Sequence, residues 1–132
     1  MELPQELEVW YIIPSLRKEL ALAMKGNGLK QVEIAKKLRV TKSAITQYLN
    51  DKRGSEIKLN DRIKQEVATS AQRINNQMDI LREIQYLLNI TREEKVICQI
   101  HRNIEKGFEG CNVCFEQPLI KIGVKNERNI SR

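Results

Sequence analysis

The stretch "LKQVEIAKKLRVTKSAITQYLNDKRG", Leu29 to Gly54, decides how this chain folds. Its apolar residues recur at helical spacing twice, as Val32, Ala35 and Leu38 and then as Ala44, Ile45, Tyr48 and Leu49. Between the two runs "RVT" interrupts the period, and Thr41 stands where a side-chain oxygen can accept an orphan N–H of a new helix. The stretch therefore predicts two short helices joined by a tight turn, with Gln31 opening the first.

Charge singles out the same region. The chain has 132 residues and a net charge of +6. Between Pro14 and Gly54 ten Lys/Arg stand against three Asp/Glu, a balance of +7, which leaves 13 against 14 elsewhere. A basic excess confined to one segment fits a surface that binds a polyanion, because such surfaces neutralise phosphates and release their counterions. A solvated helical surface is the plainer explanation of charge taken alone.

The flanking sequence is also helical. "LPQELEVWYII" places Leu7, Trp10 and Tyr11 on one side, and Pro14 is expected to break or kink it before "PSLRKELALAMK", which "GNG" at 26–28 ends. From Leu59 to Asn89 there is no Pro or Gly, and positions 63, 67, 70, 74, 77, 81, 84 and 88 make a four-three seam, interrupted by Ser70 and Gln77. One long helix that pairs two subunits is expected there, the other reading being a helix folded back on its own domain. "TREE" at 91–94 reads as a capping box that starts a further helix running to about Glu105, and "PLIKIGVKNERNISR" has room for one short strand. No apolar run is long enough to span a membrane, and the acidic start is unlike a signal peptide, so a cytoplasmic location is expected.

The Leu29–Gly54 stretch resembles the XRE-type helix-turn-helix of the phage-repressor family, and with its flanking helices the likeness extends over residues 14–68. The resemblance implies that Ala35 is small where the two helices cross steeply and that Val40 and Ile45 plug the corner between them. Arg39 departs from the pattern, holding the turn position usually given to glycine, so either it accepts a positive φ or the turn takes another path. The resemblance implies a DNA-binding regulator whose second helix enters the major groove. Carried onto this chain, it places Lys42, Ser43, Thr46 and Gln47 toward base edges below the Thr41 cap. It also places Gln31, Lys52 and Arg53 on the DNA backbone, and Arg39 within reach of a phosphate. "VWYIIPSLRKEL" further resembles the N-terminal part of archaeal XRE-like regulators with a cysteine-containing C-terminal region. That likeness implies a metal or an iron–sulfur cluster in the tail.

All three cysteines and the one histidine lie in "CQIHRNIEKGFEGCNVC", Cys98 to Cys114. Cys98 and His101 are three apart on an expected helix, and Cys111 and Cys114 form C-x-x-C after Gly110. A Cys3His set satisfies tetrahedral zinc, whereas a 4Fe–4S or 3Fe–4S cluster would take the three thiolates and leave His101 optional. Both remain open, beside the plainer reading of unligated thiols. No catalytic constellation is present: one histidine, no phosphate loop, and neither G-x-S-x-G nor H-E-x-x-H.

The sequence thus predicts an all-α chain divided at 1–57 (DNA binding), 58–90 (dimerisation helix), 91–117 (metal-binding element) and 118–132 (tail). The function it predicts is a non-enzymatic, homodimeric transcriptional regulator that binds a palindromic double-stranded operator and carries a C-terminal zinc or iron–sulfur centre. The alternatives are an antitoxin-like or adaptor module that binds protein through the same fold, with a purely structural zinc site, and a thiol redox protein.

Overall fold

A computed structural model describes residues 3–55 and 57–104. Among these residues every regular element is helical: α1 (Pro4–Leu7), a π-helical turn (Glu8–Ile12), α2 (Ile13–Gly26), α3 (Gln31–Leu38), α4 (Lys42–Leu49), α5 (Asp61–Arg73), α6 (Gln77–Glu93) and α7 (Val96–Ile104). Cys111, Cys114 and the expected short strand lie outside the described residues.

The centre of the fold is α2. Its Leu16, Leu20, Ala21 and Met24 are all buried, spaced so that they share one side of the helix. Helices α3, α4, α5 and α6 all pack against it. Pro14 does not break the helical path. A proline ring collides with the carbonyl four residues back, and here the preceding turn widens so that Ile13 N–H bonds Glu8 O instead. The buried face carries Leu7, Glu8 and Ile12, and Trp10, expected on one side with Leu7, is 49% exposed. The buried Glu8 carboxylate is held by Arg92 of α6 in a two-pronged pair at 2.9 and 3.0 Å.

The single long helix expected over Leu59–Asn89 is two helices. Ile74 turns extended (φ −88°, ψ 104°), and Asn76 then caps α6, accepting N–H bonds from Met78 and Asp79, while Asp79 accepts from Asn75 and Asn76. The reciprocal caps satisfy backbone groups that a continuous helix would have paired internally. Cross-links then run in opposite directions along the two helices, Ser70 to Glu83, Glu66 to Tyr86 and Arg62 to Glu93, so α5 and α6 form an antiparallel hairpin. Of the expected seam, Ile63, Val67, Ser70 and Ile74 are buried in the chain's own core, whereas Leu81 is 50% exposed.

"TREE" does not start a helix. Thr91 is fully buried in the last turn of α6, where its hydroxyl donates to Leu88 O at 2.7 Å, and the break falls at Lys95, whose φ is 54°. Glu94 instead accepts from Arg62 and Asn60, tying the end of α6 to the start of α5. The Arg62 bond first, and Asn60 after it, hold the Glu94 carboxyl below its ordinary value. This tie is therefore intact at neutral pH and is lost as pH falls through the lowered value.

After α4 the chain returns to α2 through Gly54. Its φ is +77°, an added Cβ would lie 2.5 Å from Pro14 O, and its carbonyl accepts from the buried Ser15 hydroxyl at 3.1 Å. Gly54→Ala is accordingly expected to cost about 2–4 kcal/mol in denaturant unfolding, combining a left-handed backbone with a backbone clash. Gly28→Ala should cost less, about 1–2 kcal/mol, because its φ of +92° strains a side chain but nothing lies within 4 Å.

Candidate nucleic-acid interface

The interface is built on α3, the turn and α4. Helix α3 buries Ile34, Ala35 and Leu38. Val32 is 47% exposed, because the face turned to α2 and α4 is centred on Ile34 rather than on Val32. At the end of α3 the Val40 N–H closes on Ala35 O at 3.1 Å and the Arg39 N–H on Lys36 O at 3.3 Å. That closure requires a left-handed residue, and Arg39 supplies it at φ 57°, ψ 44°. The turn thus keeps the path usually given to glycine, at a cost in backbone strain.

Thr41 caps α4 as its sequence position predicts, its hydroxyl oxygen accepting the Ala44 N–H at 3.0 Å. Ala44, Ile45 and Tyr48 face the core, which leaves Lys42, Ser43, Thr46 and Gln47 as an exposed row on the other side of the helix. The Thr46 hydroxyl donates to Lys42 O at 3.2 Å and lies 3.4 Å from Gln31 Oε1, so the half-buried Gln31 braces α4 from the start of α3. Beyond α4, Lys18 pairs with Asp51, which neutralises that carboxylate of the loop. Lys52 and Arg53 stay exposed there, the Arg53 guanidinium 5.7 Å from the centre of the Tyr48 ring.

The nine residues expected at a DNA surface are thus gathered on α3, α4 and the loops that follow them. Lys42, Lys52 and Arg39 carry no ion pair among the described residues. Lys36, exposed one turn before Arg39, belongs with them and was not singled out from sequence; its signal is its spacing of three from Arg39 on the outer side of α3.

Residues 20–58 match the family model described as Helix-turn-helix. The match supports reading this segment as a helix-turn-helix unit similar to those of the XRE type. Neither the curated proteins nor the solved structures contain a significant match to the chain. Domains of this family bind DNA, and α4 occupies the position of the reading helix. Among the described residues no helix is long and apolar enough to cross a membrane.

The metal expectation divides. Cys98 and His101 share the inner side of α7, 5% and 7% exposed, while Cys111 and Cys114 lie outside the described residues. No group of three or more candidate ligands occurs among the described residues.

The helix-turn-helix turn generates a two-signed prediction. Arg39→Gly removes the strain and one cation together, so it should raise unfolding stability by about 1 kcal/mol while weakening DNA binding and flattening its salt dependence by about one unit. Denaturant melts and salt-titrated binding on the same preparation check both signs.

Proposed function

We propose that the chain is a sequence-specific DNA-binding transcriptional regulator. It acts as a homodimer on a palindromic operator, and Cys98, His101, Cys111 and Cys114 hold a zinc ion or an iron–sulfur cluster. The observation that carries the DNA reading is the exposed row Lys42, Ser43, Thr46 and Gln47 on a capped, braced α4, flanked at both ends by cations that carry no ion pair among the described residues. Lysine donates to guanine O6 and N7, glutamine pairs with adenine, and the hydroxyls serve either. Lys52, Arg53 and Arg39 supply phosphate contacts that set register without reading sequence.

Two copies are proposed because one short reading helix spans too few base pairs for specificity, and paired half-sites about 34 Å apart multiply it. Among the described residues, Met78 and Leu81, 58% and 50% exposed on α6, are apolar residues available to such a pairing, as are Leu3, Val9 and Trp10 near the start of the chain.

Support for the metal centre is the donor chemistry of α7: a thiol and an imidazole three residues apart, both withdrawn from solvent on one side of a helix. That pair fits half of a tetrahedral N/S set and equally a cluster with thiolate ligands. Zinc, when bound, supplies a fixed cross-link; a cluster supplies one that responds to oxidation. The chain's own part is to hold Cys98 and His101 against the core, where ligand loss is felt at α6 through their shared packing with α7.

Two outcomes test this. Lys42→Ala and Gln47→Ala should each lower affinity for the selected operator by about 1–3 kcal/mol and leave random DNA nearly unaffected, with two chains per palindrome in sedimentation. Equal losses on both DNAs would remove the reading role. Cys98→Ser should release the metal, seen by elemental analysis and by the absorption spectrum of protein purified without oxygen, and leave the DNA-binding core folded. A colourless protein with one zinc per chain selects the structural site, a brown one the cluster, and a metal-free, equally stable wild type refutes both.

A further inference from the structure

A cleft of about 730 Å³ opens beside the turn between α3 and α4, and its far wall is not part of the helix-turn-helix domain. On the near wall stand Lys36, Arg39 and Lys42, all exposed and none with an ion pair among the described residues. The far wall is the elbow between α5 and α6, where Asn75, Asn76 and Gln77 present three carboxamides. Valines at 32 and 40 lie between the two walls. Among the described residues no carboxylate lines the cleft. Asp79, the acid next to the elbow, is occupied by the Asn75 and Asn76 N–H groups and by Arg82.

The elbow is held in place. Lys37 donates from Nζ to Ile74 O at 3.2 Å, and Ile74 itself is fully buried, so the elbow is pinned to α3 by a hydrogen bond and by the core together. Asn76 uses its Oδ1 on the Met78 and Asp79 N–H groups, which leaves its Nδ2 end without a described partner. Three uncompensated cations and several amide donors around an open cleft suit a chain of phosphates, which takes both point charges and neutral donors. Lys42 belongs to the cleft and to the reading row alike, so a polyanion in the cleft is continuous with one lying under α4.

We propose that this cleft receives the sugar–phosphate backbone of the operator, with the α5–α6 elbow as a second backbone-contacting element outside residues 20–58. The proposal rests on the DNA-binding reading above. It extends the footprint beyond the two-helix unit and makes the hairpin a part of the interface. The elbow contacts carry no sequence information, so their loss weakens every duplex alike.

The test is Gln77→Glu. Residue 77 is exposed and is the first residue of α6, where a carboxylate favours the helix, so unfolding stability should hold or rise. Affinity should nonetheless fall by about tenfold near 0.1 M salt, equally on operator and random duplex, with the salt slope lower by about one unit. Gln77→Lys should shift affinity the other way. Gln85→Glu, exposed two turns further along α6, should change affinity by less than about twofold, since exposed charges a Debye length away are screened. A Gln77→Glu protein that keeps wild-type affinity and salt slope, or loses no more than Gln85→Glu, overturns the proposal while leaving the DNA reading standing. A wild type that binds no duplex overturns both.

Discussion

The buried side of α2 is the constraint on which the rest depends. Leu16, Leu20, Ala21 and Met24 form one apolar stripe that α3, α4, α5 and α6 all approach. Helices of eight residues such as α3 and α4 are too short to be stable alone, so their order comes from this packing rather than from propensity. The orientation of the exposed row on α4 is therefore set from behind, by Ala44, Ile45 and Tyr48. Gly54 completes the arrangement, because only a residue without Cβ lets the chain after α4 pass so close to Pro14.

Arg39 shows local stability yielding to surface chemistry. The hydrogen bonds that end α3 demand a left-handed residue, which glycine meets with less strain. An arginine there strains the backbone and places a cation at the edge of the reading helix. Thr41 and Gln31 then offset part of the cost by capping and bracing α4. The turn is a junction where charge has been placed at the expense of backbone comfort.

The hairpin of α5 and α6 carries polar bonds in places a plain apolar interface would fill. Glu83, 5% exposed, accepts from Ser70 at 2.8 Å, and Glu8, 6% exposed, is gripped by Arg92. A buried carboxylate tolerates few partners, so such pairs select one register between helices more than they add stability. They hold the π-helical turn, α5 and α6 in one arrangement, and with Lys37 they fix the elbow beside the helix-turn-helix turn.

The two helices of the DNA-binding unit, the Thr41 cap and the local basic excess were legible in the sequence, because each is a local property: a period, a hydroxyl one residue before a helix, a count of charges. Ile34 was missed and Val32 overvalued because a helix of only two turns leaves the centre of its buried stripe uncertain by one residue. The break at Ile74 was not seen because a four-three seam reads the same whether one helix buries it against a partner or two antiparallel helices bury it against a shared core. The asparagine cap at 76 with Asp79 three residues on was the overlooked signal. Thr91 reversed its role for a related reason: a capping box is also a legal helix interior when Arg62 and Asn60 claim its glutamate. The sequence by itself determined which segments are helical and where positive charge collects. Only the tertiary structure decided where helices stop, which side of each faces inward, and that the α5–α6 elbow lies beside the reading helix, because those depend on which distant groups compete for the same hydrogen bonds and the same core.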